Sequence, residues 1–194
     1  VRCHTSGLYA HSHLHILILS LQYMQVIFLK NIKVWLIAGF IFTAVFGTLS
    51  HFFYDWSGEN PLIGLISPVN ESTWEHMKLV FFPVLIWSFC ISPLLSHEFS
   101  SLRPALLFGG ILGTFAVPVL FYTYSGILGR NVAWIDILIF FICVFVTFFS
   151  AWKLQNSVKI YQKRAAIYLR VVFLIILFFL FTFLPPDIGL FAEP

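Results

Sequence analysis

Between Ser67 and Lys78 the chain reads Ser-Pro-Val-Asn-Glu-Ser-Thr-Trp-Glu-His-Met-Lys. Two carboxylates, an imidazole and an ammonium thus fall close together in a chain of which only 10% is charged. On a helix, at about 100° per residue, Glu71, Glu75 and Lys78 share one face and Ser72 and His76 stack on the next. His51 adds a second imidazole, about one turn inside the Tyr54-Asp55-Trp56 edge and on the same face as Asp55. A histidine pair with carboxylates can hold a divalent cation such as zinc, with Asp55 orienting the His51 ring. The same groups can relay protons or act as general acid and base. The metal candidates are His51, Glu75 and His76, and the candidates for acid–base work are Glu75 and His76. A wider ligand-binding set adds Asp55, Asn70, Glu71, Lys78, Tyr122 and Asp136.

Each of these residues also has a plainer role. Glu71 and Glu75 suit a helix N-terminus, Ser72 with Glu75 has capping-box spacing, and Lys78 can pair with Glu75 or reach the headgroups. Asp136 fits the first turn of a helix as a cap. Trp74, Tyr122, Tyr124 and Trp134 read as an interfacial aromatic belt. No HExxH, serine nucleophile elbow, phosphate-binding glycine loop or dinucleotide fingerprint accompanies the block.

The elements that must position these groups follow from hydropathy. With 60% hydrophobic residues, 24 phenylalanines and a mean hydropathy of +0.94, the chain reads as an all-α polytopic membrane bundle. Five spans are expected, at about 34–53, 71–91, 104–124, 132–152 and 165–184, within a single domain covering 24–194. Tyr54 to Pro61 stops the first helix through Gly58 and Pro61. Leu62 to Ile66 is too short to span and is expected to lie at the interface or dip into it. The second span starts within 67–73, with Pro83 a kink position. Gly109 and Gly113 have small-xxx-small spacing, which permits close helix approach and supports a structural or partner-binding role, whereas a transporter with so few spans would have to be a homo-oligomer.

Residues 1–23 differ from the rest and read as a non-native or upstream extension ahead of Met24. Their His11, His13 and His15 lack an accompanying second ligand cluster. Of the three cysteines, Cys90 and Cys143 lie in apolar runs, so neither a disulfide framework nor a zinc-ribbon spacing is present. The net charge of +3 and the lack of a long basic run exclude nucleic acid as a partner and leave the lipid bilayer. Five spans bring Lys30, Lys33, Arg103, Lys153, Lys159, Lys163 and Arg164 to the side of the amino terminus. The positive-inside rule then puts that terminus in the cytoplasm and the carboxyl terminus outside. His51, Asp55, Glu71, Glu75, His76, Tyr122, Tyr124 and Asp136 come to a similar depth at the outer rim.

In Gly47-Thr-Leu-Ser-His51, Tyr54-Asp55-Trp56-Ser57-Gly58, the Ser67–Lys78 block and Phe121 to Gly129, the chain resembles a family of small bacterial multi-pass membrane proteins of unknown function. The likeness covers about 33–194, with S-P-V-N-E-S-x-W-E-H-x-K its most specific stretch. The family pattern starts near Met24 and runs a little past Pro194. The resemblance implies a bundle in the bacterial cytoplasmic membrane and transfers no catalytic or binding role. On the residues themselves, the leading expectation is an outer-facing polar pocket for a cation or small polar ligand. Rivals are a membrane enzyme acting on a lipid or envelope precursor, a small oligomeric transporter, and a structural or partner-binding protein.

Overall fold

The computed structural model describes residues 31–95 and 97–193, so the extension at 1–23 and its histidines lie outside the described residues. Where no water competes, an apolar run satisfies its backbone only within a helix or a closed barrel. Among the described residues every long apolar run is helical. Helix α1 spans Ile32–Ser50, α4 Thr73–Leu95, α5 Leu102–Leu128, α6 Ala133–Leu154 and α8 Arg164–Phe183. All five are long and apolar enough to cross a membrane. They match the five expected spans, with ends displaced by a few residues. Short helices α2 (Phe53–Trp56), α3 (Pro61–Gly64) and α7 (Val158–Gln162) and a 3₁₀ turn at Gly189–Phe191 fill the connections.

Helix α4 lies at the centre. It packs on α1 and α5; α6 closes the group by touching both α1 and α5, and α8 lies against α5. Met77, Val80 and Val84 of α4, Leu106 of α5, Val144 of α6 and Phe178 of α8 meet in one core. The up-and-down path brings Ser50, Thr73, Leu128, Ala133 and Phe183 to one end, which carries the polar block. Lys33, Arg103, Lys153, Lys159, Lys163 and Arg164 collect at the other.

Close approach between helices rests on glycine. A Cβ on Gly109 would stand 2.4 Å from the Thr147 carbonyl oxygen, and one on Gly113 would stand 2.6 Å from that of Cys143. The small-residue face of α5 is therefore filled by α6 of the same chain and is not free to join a second copy. At Gly47, a Cβ would stand 2.5 Å from the Leu79 carbonyl oxygen. Pro83, four residues on, has no N–H to offer that carbonyl.

The connection between α1 and α4 folds back over this end of the bundle. Gly58 and Glu59 take positive φ (68° and 60°), which reverses the chain. Asn60 then accepts from the Leu62 N–H at 2.9 Å and starts α3 with Pro61 in its first turn. Gly64 is buried with Val69 and Tyr54 pressed against it, so the short apolar segment is tucked against the polar block.

Candidate functional site

The Ser67–Lys78 block is wired to itself before it touches anything else. Asn70 Oδ1 accepts from the Ser72 N–H at 3.0 Å, and Ser72 Oγ accepts from the Glu75 N–H at 3.4 Å. Ser72 is thus the N-cap of α4, whereas the Ser67 hydroxyl donates to the Ile63 carbonyl at 2.8 Å. The expected capping box forms only by half. The Glu75 carboxylate turns away from Ser72 and accepts from the Val69 N–H at 3.0 Å.

Glu75 also meets Lys78, and the pair is sealed: Glu75 is 2% exposed and Lys78 0%. Lys78 Nζ donates to Glu75 Oε2 at 2.6 Å, to the Gly64 carbonyl at 2.8 Å and to Thr182 Oγ1 at 2.7 Å. These three short contacts match the three protons of an ammonium, and the Ser67 carbonyl lies further off at 3.4 Å. A buried charge left without such partners would cost several kcal/mol. The network ties α4, the α3 turn and α8 together. Thr182 is the member that sequence reasoning missed, because 104 residues separate it from Lys78.

The second group is open. His51 Nε2 stands 3.6 Å from Glu71 Oε2, and His76 Nε2 stands 3.4 Å from the same oxygen. The two imidazoles meet edge to face with centroids 5.2 Å apart. His76 Nδ1 lies 2.9 Å from the Ser72 carbonyl oxygen. A carbonyl only accepts, so Nδ1 carries the proton, and the ring directs its other nitrogen, Nε2, towards Glu71. The side chains of His51 and His76 are about one-third exposed, and that of Glu71 is 62% exposed.

Relative to the expected metal set of His51, Glu75 and His76, the structure exchanges one carboxylate for the other. Glu75 is held by Lys78 and Val69, which leaves Glu71 to face the histidines. Asp55, expected to orient His51, is exposed on α2, and no hydrogen bond or ion pair joins the two. The turn at His51–Phe52 breaks the helical register that would have stacked them. Tyr122 also stands apart, donating to the Gly189 carbonyl at 2.9 Å. Trp74 is not an interfacial residue but a core one, 5% exposed and packed on Phe178, Phe181 and Phe191. Asp136 does join the site region. Tyr124 donates a short hydrogen bond to its carboxylate, and the Val132 N–H donates to the Tyr124 hydroxyl at 3.2 Å.

Two cavities adjoin the open group. One of about 590 Å³ lies between α1, α4 and α6, and one of about 130 Å³ lies between α4, α5 and α6. Glu71, His76 and Asp136 line both, and His51 lines the larger.

Five apolar helices around a buried polar network, with an open histidine–carboxylate group at one end, define an all-α polytopic bundle of membrane type. The chain belongs to a family of unknown function, DUF6512, whose model matches residues 24–194. No curated protein and no solved structure matches it.

Proposed function

We infer that this protein binds a divalent cation, with zinc the best fit, through His51 Nε2, His76 Nε2 and the Glu71 carboxylate. The observation that carries the reading is the convergence of these three donors, all within 4.8 Å of one another. Nitrogen and oxygen ligands stand about 2.0–2.1 Å from zinc, so neighbours around a tetrahedral ion are about 3.3 Å apart. The 3.4 and 3.6 Å separations to Glu71 are close to that spacing. The bond from His76 Nδ1 to the Ser72 carbonyl is the kind of outer contact that fixes a ligating imidazole. Three protein ligands leave one position open, as catalytic zinc sites do.

A second reading, hydrolysis of a membrane-borne substrate, is favoured by Asp136. Its carboxylate lines both of the cavities that Glu71 and His76 line and would be suited to take a proton from an ion-bound water.

We also assign the site to the extracytoplasmic face of a bacterial cytoplasmic membrane, with residues 24–194 as one integral-membrane unit. Its support is the basic end of the bundle, where Lys159, Lys163 and Arg170 line one cavity and suit the anionic cytoplasmic leaflet.

The test is zinc binding by purified protein, read as metal content and by isothermal titration. The wild type is expected to bind one ion per chain, and His76→Ala and Glu71→Gln to lose it while keeping the unfolding midpoint. Asp55→Ala should bind as the wild type does. Equal metal content in the wild type, H76A and E71Q would overturn the cation reading. For the orientation, a cysteine at position 71 in a background lacking native cysteines should react with an impermeant maleimide from outside intact cells. Reaction only after lysis would reverse the topology.

A further inference from the structure

We propose that the open coordination position receives the head of a membrane lipid carrying both a phosphate oxygen and a primary ammonium, with its hydrocarbon tail in the cavity between α1 and α6. This deepens the cation reading and rests on it.

The cavity is two-faced. His51, Glu71, His76 and Asp136 gather at one part of its wall, and Leu79, Ile137, Phe140 and Phe141 form most of the rest. Ile137 and Phe141 are 59% and 40% exposed, so the apolar part opens sideways between α1 and α6, where acyl chains would surround the bundle. At about 590 Å³ it falls within the roughly 300–1,000 Å³ usual for ligand sites. A small polar ligand would leave the apolar part unfilled, and a plain hydrocarbon would leave the ion and Asp136 unsatisfied. An amphiphile satisfies both.

Charge selects the head. The carboxylates of Glu71 and Asp136 offset a divalent cation, and Lys78 is neutralised within its own sealed pair with Glu75. The occupied site is therefore close to neutral and matches a zwitterion better than a net anion. The ion requires an oxygen lone pair. Asp136 has accepted one hydrogen bond from Tyr124 and retains lone pairs for another donor. A phosphate oxygen on the ion and an ammonium on Asp136 supply both. A quaternary ammonium has no proton to give, and a glycerol head brings an uncompensated negative charge.

The experiment is native mass spectrometry of zinc-loaded protein released from nanodiscs of equal parts phosphatidylethanolamine, phosphatidylcholine and phosphatidylglycerol. Retained phosphatidylethanolamine is expected to exceed phosphatidylcholine by about tenfold, the worth of one charge-assisted hydrogen bond. Asp136→Asn should remove that preference among the molecules that still hold zinc. Ile137→Trp, which fills the apolar part, should lower retention of all three lipids, again with zinc bound. Zinc binding with equal retention of phosphatidylethanolamine and phosphatidylcholine would overturn the lipid proposal and leave the cation reading standing. A preference that survives both substitutions would also overturn it. Absence of zinc from the wild type would remove both.

Discussion

Lys78→Met separates a buried, satisfied charge from a merely interfacial one. The substitution keeps most of the side chain's length and apolar stem but removes the ammonium that Glu75, Gly64 and Thr182 share. Glu75, 2% exposed, would then keep the Val69 N–H at 3.0 Å and a long 3.5 Å contact from the Thr182 hydroxyl. Breaking a buried pair by removing one partner costs about 3–5 kcal/mol, because the remaining charge stays in the interior. For a chain of this size each kcal/mol moves the midpoint by roughly 2–4 °C, so a fall of about 6–20 °C is expected. Glu75→Gln should fall within the same range. The double variant should be no worse than either single one, since an amide at position 75 still accepts from Val69 and leaves no charge unpaired. Thermal unfolding in detergent, followed by tryptophan fluorescence, reads all four proteins. Single losses that add to within about 0.5 kcal/mol in the double variant would mean that the two groups do not act as a unit. A Lys78→Met midpoint equal to the wild type's would refute the sealed network itself.

The remaining predictions use the same assay or metal binding. Gly109→Ala drives a methyl into the Thr147 carbonyl and should destabilise by about 1–3 kcal/mol, whereas Gly126→Ala, with open space around it, should stabilise by up to about 1 kcal/mol. Equal midpoints for the two would argue against close α5–α6 packing. Trp74→Ala should cost about 3–5 kcal/mol by emptying the space against Phe178, Phe181 and Phe191, and an unchanged midpoint would return Trp74 to the interface. If the proposed cation reading holds, zinc affinity should fall on acidification, because protons would compete for the Nε2 atoms of His51 and His76 and for the Glu71 carboxylate. Titration at stepwise lower pH checks this, and affinity that rises with acidity would count against imidazole ligation.

The sequence by itself determined the class and marked the polar block that opens α4. Apolar runs of about twenty residues leave the backbone few alternatives to spanning helices, and local spacing was enough to mark Ser72 as a cap and Lys78 as a partner for Glu75. Those are i, i+3 relations that any helix enforces. Only the tertiary structure decided which carboxylate faces the histidines. Glu71 and Glu75 lie one turn apart and are chemically near-equivalent, so nothing local distinguishes them. The choice is made by the α3 turn folding over α4 to present the Gly64 carbonyl, and by α8 arriving with Thr182. Together these seal Lys78 in the interior and hold Glu75 there as its counter-ion. Glu71 is left at the rim, where the end of α1 delivers His51 beside His76. Contacts made across so many residues depend on how whole helices pack, and local spacing marks a packing face without saying which helix will meet it.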